Sequence, residues 1–318
     1  MSATLDDAEP FVHPALFYRG TDEYLAGTVP FIEAGLEAGQ PVAVAVPGPR
    51  LALLRKELGD ASRDVKMLDM TVAGRNPGRI IPGVLRAFAD SHRDAEHVRI
   101  IGEPIWAGRS ATEYPACVQH EALINLAFTG RPVTILCPYD TIELDPRVIS
   151  DAALTHPTVI DNAKTTVSTV YDPGTVIQAY NRPLPAPGPD ARHHVILDFD
   201  IDNLVQAREV AARIATRAGL PPATVGDLEI AVNELASNSV RHGGGRGTLR
   251  VWADSALVCQ ISDAGHLTDP LAGREPVGLG GNGGRGLLMV NHIADLLRVH
   301  TGPDGTTIQA RFSLQTSG

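Results

Sequence analysis

Glu234, Asn238 and His242 recur every fourth residue in the segment Asn233-Glu234-Leu235-Ala236-Ser237-Asn238-Ser239-Val240-Arg241-His242, which runs into Gly243-Gly244-Gly245. A carboxylate can take a proton, an amide oxygen can hold a hard cation, and an imidazole titrates near neutral pH. Acting together requires that the three point the same way. Leu228, Ala231, Val232 and Leu235 recur at helical spacing, so the segment reads as the end of an amphipathic helix. Four residues is about 400° of helix rotation, so the three polar side chains form one slowly drifting stripe. That stripe runs beside the apolar face and is expected half-buried, at the edge of a core. The glycines stop the helix. Alone, the pattern equally describes a solvated helix face, so its meaning depends on what converges with it.

Three further stretches do. Ser262-Asp263-Ala264-Gly265 closes an apolar run. An Asp at a strand end can accept a hydrogen bond from an exocyclic amine, and the Gly lets a ring approach the backbone. Gly283-Gly284-Arg285-Gly286-Leu287 leads straight into a helix, so its N–H groups form a phosphate site. Gly305-Thr306-Thr307 turns into the last strand with hydroxyls beside the sheet. Gly278, Gly280 and Gly283 also spell GxGxxG, but no strand of a βαβ unit precedes them, so no dinucleotide fingerprint is read there.

The elements that position these groups follow from periodicity. Strand 195–199, a helix from about 203 to 218, the stripe helix from about 223, strands 248–253 and 257–262, helix 287–295 and strands 297–301 and 306–312 make an α+β sandwich. The first half alternates strand and helix instead. Ala15–Tyr18, Val42–Val46, Val65–Met70, Val98–Gly102 and Val133–Cys137 are predicted strands with helices between them, which argues for a five-stranded parallel sheet covered on both faces. Ligands then belong at the strands' carboxyl ends. Those ends carry Arg19-Gly20-Thr21-Asp22, Pro47-Gly48-Pro49-Arg50, Gly102-Glu103-Pro104 and Pro138-Tyr139-Asp140, and none is a P-loop. Residues 181–194, with four prolines, read as an exposed, semi-stiff linker. The expected domains are therefore 1–180, the linker 181–194, and 195–318.

The 318 residues fit two domains on a prior of about 150 each. A net charge of −10 without a basic cluster speaks against nucleic acid and anionic membranes as partners. No apolar run approaches ~18 residues, so no transmembrane helix is expected. The acidic N-terminus lacks the apolar stretch of a signal peptide. Cys117, Cys137 and Cys259 lie far apart with neither metal nor redox spacing, a sparse count that fits a reducing cytoplasm.

In order and spacing, Glu234-x-x-x-Asn238-x-x-x-His242, Asp263-x-Gly265 and the glycines before helix 287–295 resemble the GHKL ATPase superfamily of gyrase, MutL and histidine kinases. More narrowly, residues 195–314 are similar to the anti-sigma-factor serine kinases. The resemblance implies a Bergerat-type sandwich that binds ATP and Mg²⁺. Glu234 would be the general base, and Asn238 the Mg²⁺ ligand. Asp263, helped by Thr307, would read the adenine amine, with Gly265 letting the base lie close. Gly284, Arg285 and Gly286 would hold phosphates, and His242 would line the phosphate end. The family box Asp-x-Gly-x-Gly is incomplete here, because Leu267 stands at the second glycine.

The first half resembles the MEDS sensory domain over about 10–165. The residues that carry this are His13-Pro14-x-Leu16-Phe17-Tyr18, Gly102-Glu103-Pro104-Ile105-Trp106, Gln119-His120-Glu121-Ala122-Leu123-Ile124-Asn125 and Leu136-Cys137-Pro138-Tyr139-Asp140. The resemblance implies a recombinase-like fold without a P-loop, used to sense a small effector, with His13, Glu103, Trp106, Arg109 and His120 as candidate pocket residues. His120-Glu121 also matches a histidine-kinase phosphoacceptor dipeptide. That role requires a dimerising antiparallel helix pair, and a strand predicted soon after argues against it.

Together these resemblances imply a cytoplasmic, sensor-coupled anti-sigma factor of transcription and stress regulation. It would phosphorylate a serine of a STAS-type anti-anti-sigma partner and sequester a sigma factor, with room for a homodimer. The alternative is a non-catalytic partner-switching module with ATP structural or absent. A stand-alone ATP hydrolase is a third reading; gyrase-like machines need a further domain that supplies a lysine.

Overall fold

The computed structural model describes residues 10–275 and 284–314. The chain divides into two compact units, one up to Arg75 plus Ile80–Tyr180, the other Asn76–Arg79 plus the chain from Asn181.

The first unit runs β1 (Pro14–Tyr18), α1 (Gly20–Glu37), β2 (Val42–Val46), α2 (Gly48–Leu58), β3 (Val65–Asp69), α3 (Met70–Ala73), a π-helical turn (Ile81–Arg86), α4 (Ala87–Ser91), β4 (Val98–Gly102), α5 (Tyr114–Ala127), β5 (Val133–Asp140), α6 (Pro146–Thr155), β6 (Thr158–Asp161), β7 (Lys164–Val167) and α7 (Pro173–Tyr180). Its sheet has the order β3-β2-β4-β5-β1-β6-β7, every neighbouring pair parallel except β6 and β7. β2 is buried along its whole length, as its unbroken apolar run requires. Leu16, Tyr24, Ile32, Val44, Leu54 and Ile101 form part of the core beneath α1 and α2.

The sheet has seven strands where five were expected. The extra pair is a hairpin added at the β1 edge. It turns at Asn162 and Ala163, both at positive φ (48° and 58°), the backbone a two-residue hairpin needs. Its signal is weak in sequence because the turn lacks glycine and β7 is exposed at every position, so no apolar alternation marks it.

The second unit contains β8 (Arg192–Asp200), α8 (Leu204–Arg217), α9 (Pro222–His242), β9 (Arg246–Ala253), β10 (Ala256–Asp263), α10 (Arg285–Ile293), β11 (Leu296–Gly302) and β12 (Gly305–Ser313). The sheet order is β11-β12-β10-β9-β8, antiparallel throughout. One face carries the core: Ala211 and Ile214 of α8, Leu228, Val232 and Leu235 of α9 and Val290 of α10 pack against Val251, Cys259, Ile261, Ala310 and Phe312. On β10 and β12 the residues that face the helices are therefore the odd-numbered and even-numbered ones respectively.

The expected linker is shorter and better anchored than its composition suggests, because β8 already begins at Arg192. The Asn181 side chain donates to Thr301 O at 2.8 Å and accepts from Thr301 N at 3.0 Å. The Pro185 carbonyl accepts from Gln309 at 3.2 Å. Among the described residues, no helix is long and apolar enough to cross a membrane.

Candidate functional site

α9 supplies the first wall of the site. Leu228, Ala231, Val232, Leu235, Ala236 and Ser239 bury its core face. Glu234 and Asn238 are consequently half-buried at the edge of that face, while His242, in the last turn, is exposed. Asn233 donates to Glu234 Oε1 at 3.4 Å and is itself held by Arg208 at 3.2 Å, so the carboxylate has a neighbour that fixes its direction.

β10 supplies the second wall. Asp263, its last residue, accepts from Ser239 Oγ at 2.5 Å with one oxygen and from the Gly265 N–H at 2.8 Å with the other. Two donors on the carboxylate fix its rotamer and leave further lone pairs for a ligand. Gly265 could be nothing larger: a Cβ there would stand 2.5 Å from His242 O. The loop after Gly265 is tied to the sheet. Thr306 Oγ1 donates to Gly265 O at 2.8 Å, and Leu267 N donates to Thr301 Oγ1 at 3.3 Å. Leu267 is half-buried against the helix–sheet core, which explains a leucine where the family box has a glycine.

α10 closes the site with its N-terminus. Gly284 is its cap residue, in the left-handed region at φ 86°. Two residues on, a Cβ at Gly286 would lie 2.5 Å from Glu234 Oε2, so a larger residue there would displace the Glu234 carboxylate from the helix N-terminus it abuts. Gly278, Gly280 and Gly283 lie outside the described residues.

These walls enclose an open cavity of ≈ 800 Å³, large enough for a nucleotide. It is lined by Glu234, Asn238, His242, Asp263, Gly265, Gly284, Arg285 and Gly286, eight predicted residues from three separate stretches of chain. Thr307 corrects the expectation. It is directed to the other sheet face, where its hydroxyl pairs with Ser262 Oγ at 3.0 Å, and Thr306 lines the cavity instead. Strand alternation decides this, and a one-residue error in register is enough to miss it. Ser239 was also missed. Its position on the apolar side of α9 hid a hydroxyl whose partner is Asp263.

In the first unit the five predicted sensory residues stand in different surroundings. Arg109 is used up locally: it donates to the carbonyls of Pro104, Arg75 and Gly74, pairs with Glu113 at 3.0 Å and stacks over Trp106 at 4.0 Å. His120 is buried on α5 and, like Glu121, only 1% exposed, which leaves no accessible phosphoacceptor. Glu103 does sit at the carboxyl end of β4, buried, with Oε2 lacking any hydrogen-bond partner. Burial pushes its carboxyl from 4.5 up to about 8, against the pull of the Arg50 guanidinium. Arg50 in turn donates to Tyr18 Oη at 3.0 Å and pairs with Asp140 at 3.4 Å, at the ends of β1 and β5. His13 lies just before β1, within 3.4 Å of both Glu121 and Cys137.

Residues 12–157 match the family described as MEDS, the MEthanogen/methylotroph, DcmR Sensory domain. Residues 197–312 match the histidine kinase-like ATPase domain. The chain thus carries a MEDS domain followed by a histidine kinase-like ATPase domain. No curated protein matches it. Among solved structures, that of the RsbU and RsbW domains of Rv1364c from Mycobacterium tuberculosis is similar at 19% identity with a TM-score of 0.29, over 41% of this chain and 33% of that one. The match spans about a third of that chain's length.

Proposed function

We propose that the second unit binds ATP with Mg²⁺ in the cavity between α9, β10 and α10 and phosphorylates a serine of a STAS-type anti-anti-sigma partner. The same unit would sequester a sigma factor in turn, and the first unit would bias the switch by binding a small effector. The observation that carries the nucleotide reading is the convergence of eight residues from three stretches of chain on one cavity. The donor set fits the ligand. Asp263 is held as an acceptor for an exocyclic amine. Asn238 offers an amide oxygen to a hard cation. The N–H groups at the start of α10 suit phosphate oxygens.

Bound ATP–Mg²⁺ would supply the phosphoryl group and the cation that spreads its charge. Glu234, which the α10 N-terminus abuts, would take the proton of the attacking serine hydroxyl. Beside it, an open groove lined by Val205, Ile230 and Met289 together with Arg208, Glu209, Glu229 and Asn233 shares Glu234 with the cavity. An acceptor loop seated there would reach the carboxylate directly.

Incubation with labelled ATP and the cognate STAS protein tests the kinase reading. Label should pass to the partner serine and be lost in Glu234→Ala; no transfer, or undiminished transfer in that variant, would overturn it. The second reading, a partner-switching module without catalysis, is favoured by Leu267, which fixes the loop where the family has a second glycine. Calorimetric titration of nucleotide with and without Mg²⁺ separates the two. Binding that is indifferent to Mg²⁺ supports the non-catalytic module.

A further inference from the structure

His13, Glu121, Cys137 and His156 come from four different elements of the first unit and meet in its interior. His13 precedes β1, Glu121 lies on α5, Cys137 on β5, and His156 follows α6. All four are at most 1% exposed. Their ligating atoms all lie within 4.8 Å of one another. Glu121 Oε2 is 3.4 Å from His13 Nε2, 3.4 Å from His156 Nε2 and 3.6 Å from Cys137 Sγ, and Cys137 Sγ is 3.4 Å from His13 Nε2.

The hydrogen bonds behind the imidazoles fix their tautomers. His156 Nδ1 sits 2.8 Å from Ala152 O, and a carbonyl only accepts, so the ring proton is on Nδ1. His13 Nδ1 faces Asn125 Oδ1 at 3.1 Å. The Asn125 amide nitrogen donates to the carbonyls of Glu121, Ala122 and Thr155, so its oxygen is the atom turned to His13 and that ring too is protonated on Nδ1. In neutral rings both Nε2 atoms then aim lone pairs at a carboxylate oxygen, to which the Cys137 thiol donates at 3.6 Å. Three acceptors facing one another in a dry interior repel unless something positive sits among them. His156 Nε2 and Glu121 Oε1 have no hydrogen-bond partner of ordinary geometry.

We propose that these four side chains bind one zinc-type divalent cation. Four of the six ligand-to-ligand distances fit the ion, and the other two lie within 4.8 Å. With metal–nitrogen and metal–oxygen bonds of about 2.0–2.1 Å and a metal–sulfur bond of about 2.3 Å, tetrahedral ligand atoms stand about 3.3–3.6 Å apart. Two imidazoles, a thiolate and a carboxylate suit a borderline-soft ion, and carbonyl acceptors behind both imidazoles are the usual orientation device. Phe11, stacked 5.8 Å from the His13 ring, and Tyr139, edge-on 5.5 Å from the His156 ring, keep the surroundings apolar. Binding forms the metal–sulfur bond as the Cys137 thiol releases its proton to solvent. The protein fills all four positions, so the ion clasps β1, β5, α5 and the end of α6 and leaves no vertex open for catalysis.

The test uses the full chain expressed with zinc. Elemental analysis should find about one zinc per chain, and a strong chelator should remove it and lower the melting temperature. Reconstitution with Co²⁺ should give the intense visible bands of a tetrahedral site and a sulfur-to-metal charge-transfer band. That band should survive in the Cys117→Ser/Cys259→Ser double variant and vanish in Cys137→Ser. Asn125→Ala, which removes only the orienting acceptor, should weaken Zn²⁺ in a chelator competition by about 10–100-fold. Metal at background level both as purified and after reconstitution would overturn the proposal. So would a charge-transfer band lost in the double variant, a reading that does not depend on Cys137→Ser folding.

Discussion

The two units solve opposite problems with polar groups. In the second unit Glu234, Asn238 and Asp263 are half-buried, backed by apolar packing on one side and open to the cavity on the other. In the first unit His13, Glu103, Glu121, Cys137 and His156 lie in the interior, with Glu103 the most accessible at 4%. A site that turns over a soluble ligand must let it in and out, so its polar groups stay at a rim and are steered by neighbours such as Ser239 and Asn233. Groups taken out of water altogether must satisfy one another, neutralise or capture an ion. The first unit contains two of those outcomes, an orphaned carboxyl at Glu103 and a lone-pair cluster around Glu121.

The comparison breaks most visibly at Glu234. If that carboxylate serves as a base at an open rim, Glu234→Gln should keep nucleotide affinity and lower phosphoryl transfer by about 10²–10⁴-fold. Asp263→Asn should do the reverse. An amide can accept with only one of its two heads, so one of the bonds from Ser239 and Gly265 becomes a clash of donors. Nucleotide affinity should fall by about 10–100-fold by calorimetry. Were Glu234→Gln to abolish binding and Asp263→Asn to spare it, the roles of the two walls would have to be exchanged.

Glu103 tests the other side of the comparison. The unfolded chain loses this proton near 4.5 and the folded chain near 8, so between those values the folded state binds more protons. Stability then falls as pH rises through that window, by at most about 1.4 kcal/mol per pH unit, and the loss is complete above about 8. Glu103→Gln removes the ionisation and keeps the shape. Its stability, from denaturant titrations at pH 5 and 7.5, should vary less with pH than that of the parent chain. Equal slopes would mean that the buried carboxyl is relieved by a partner, and that the first unit tolerates no orphan after all.

Much of this was legible in sequence, for a physical reason. The cavity's residues sit in three short stretches whose internal spacing is set by local geometry: i, i+4 along one helix, a strand end followed by glycine, and glycines at a helix start. The parallel strands were legible as well, because burial on both faces leaves unbroken apolar runs. The cluster around Glu121 was not legible. Cys137 has no cysteine or histidine at a metal-like spacing, and its neighbours reach it only through the order of strands in a parallel sheet. The β6–β7 edge hairpin escaped because exposed strands carry no pattern.

The finest point is the register of β12. Thr306 and Thr307 are chemically identical neighbours, and only the pleat separates them. Thr306 holds the loop that carries Gly265, by donating to its carbonyl at 2.8 Å, and meets Thr301 at 3.1 Å. Thr307 pairs with Ser262 on the opposite face. Thr306→Val should therefore free the loop between Asp263 and Leu267 at a cost of about 1 kcal/mol, read as a roughly fivefold loss of nucleotide affinity. Thr307→Val, with the same volume and the same β-branch, should leave affinity within about twofold, because an exchange on the far face reaches the cavity only through the backbone. A larger effect at Thr307 than at Thr306 would shift the strand by one residue. Since Asp263 opposes Thr306 across the β10–β12 ladder, that shift would set Thr307 beside Asp263 in its place.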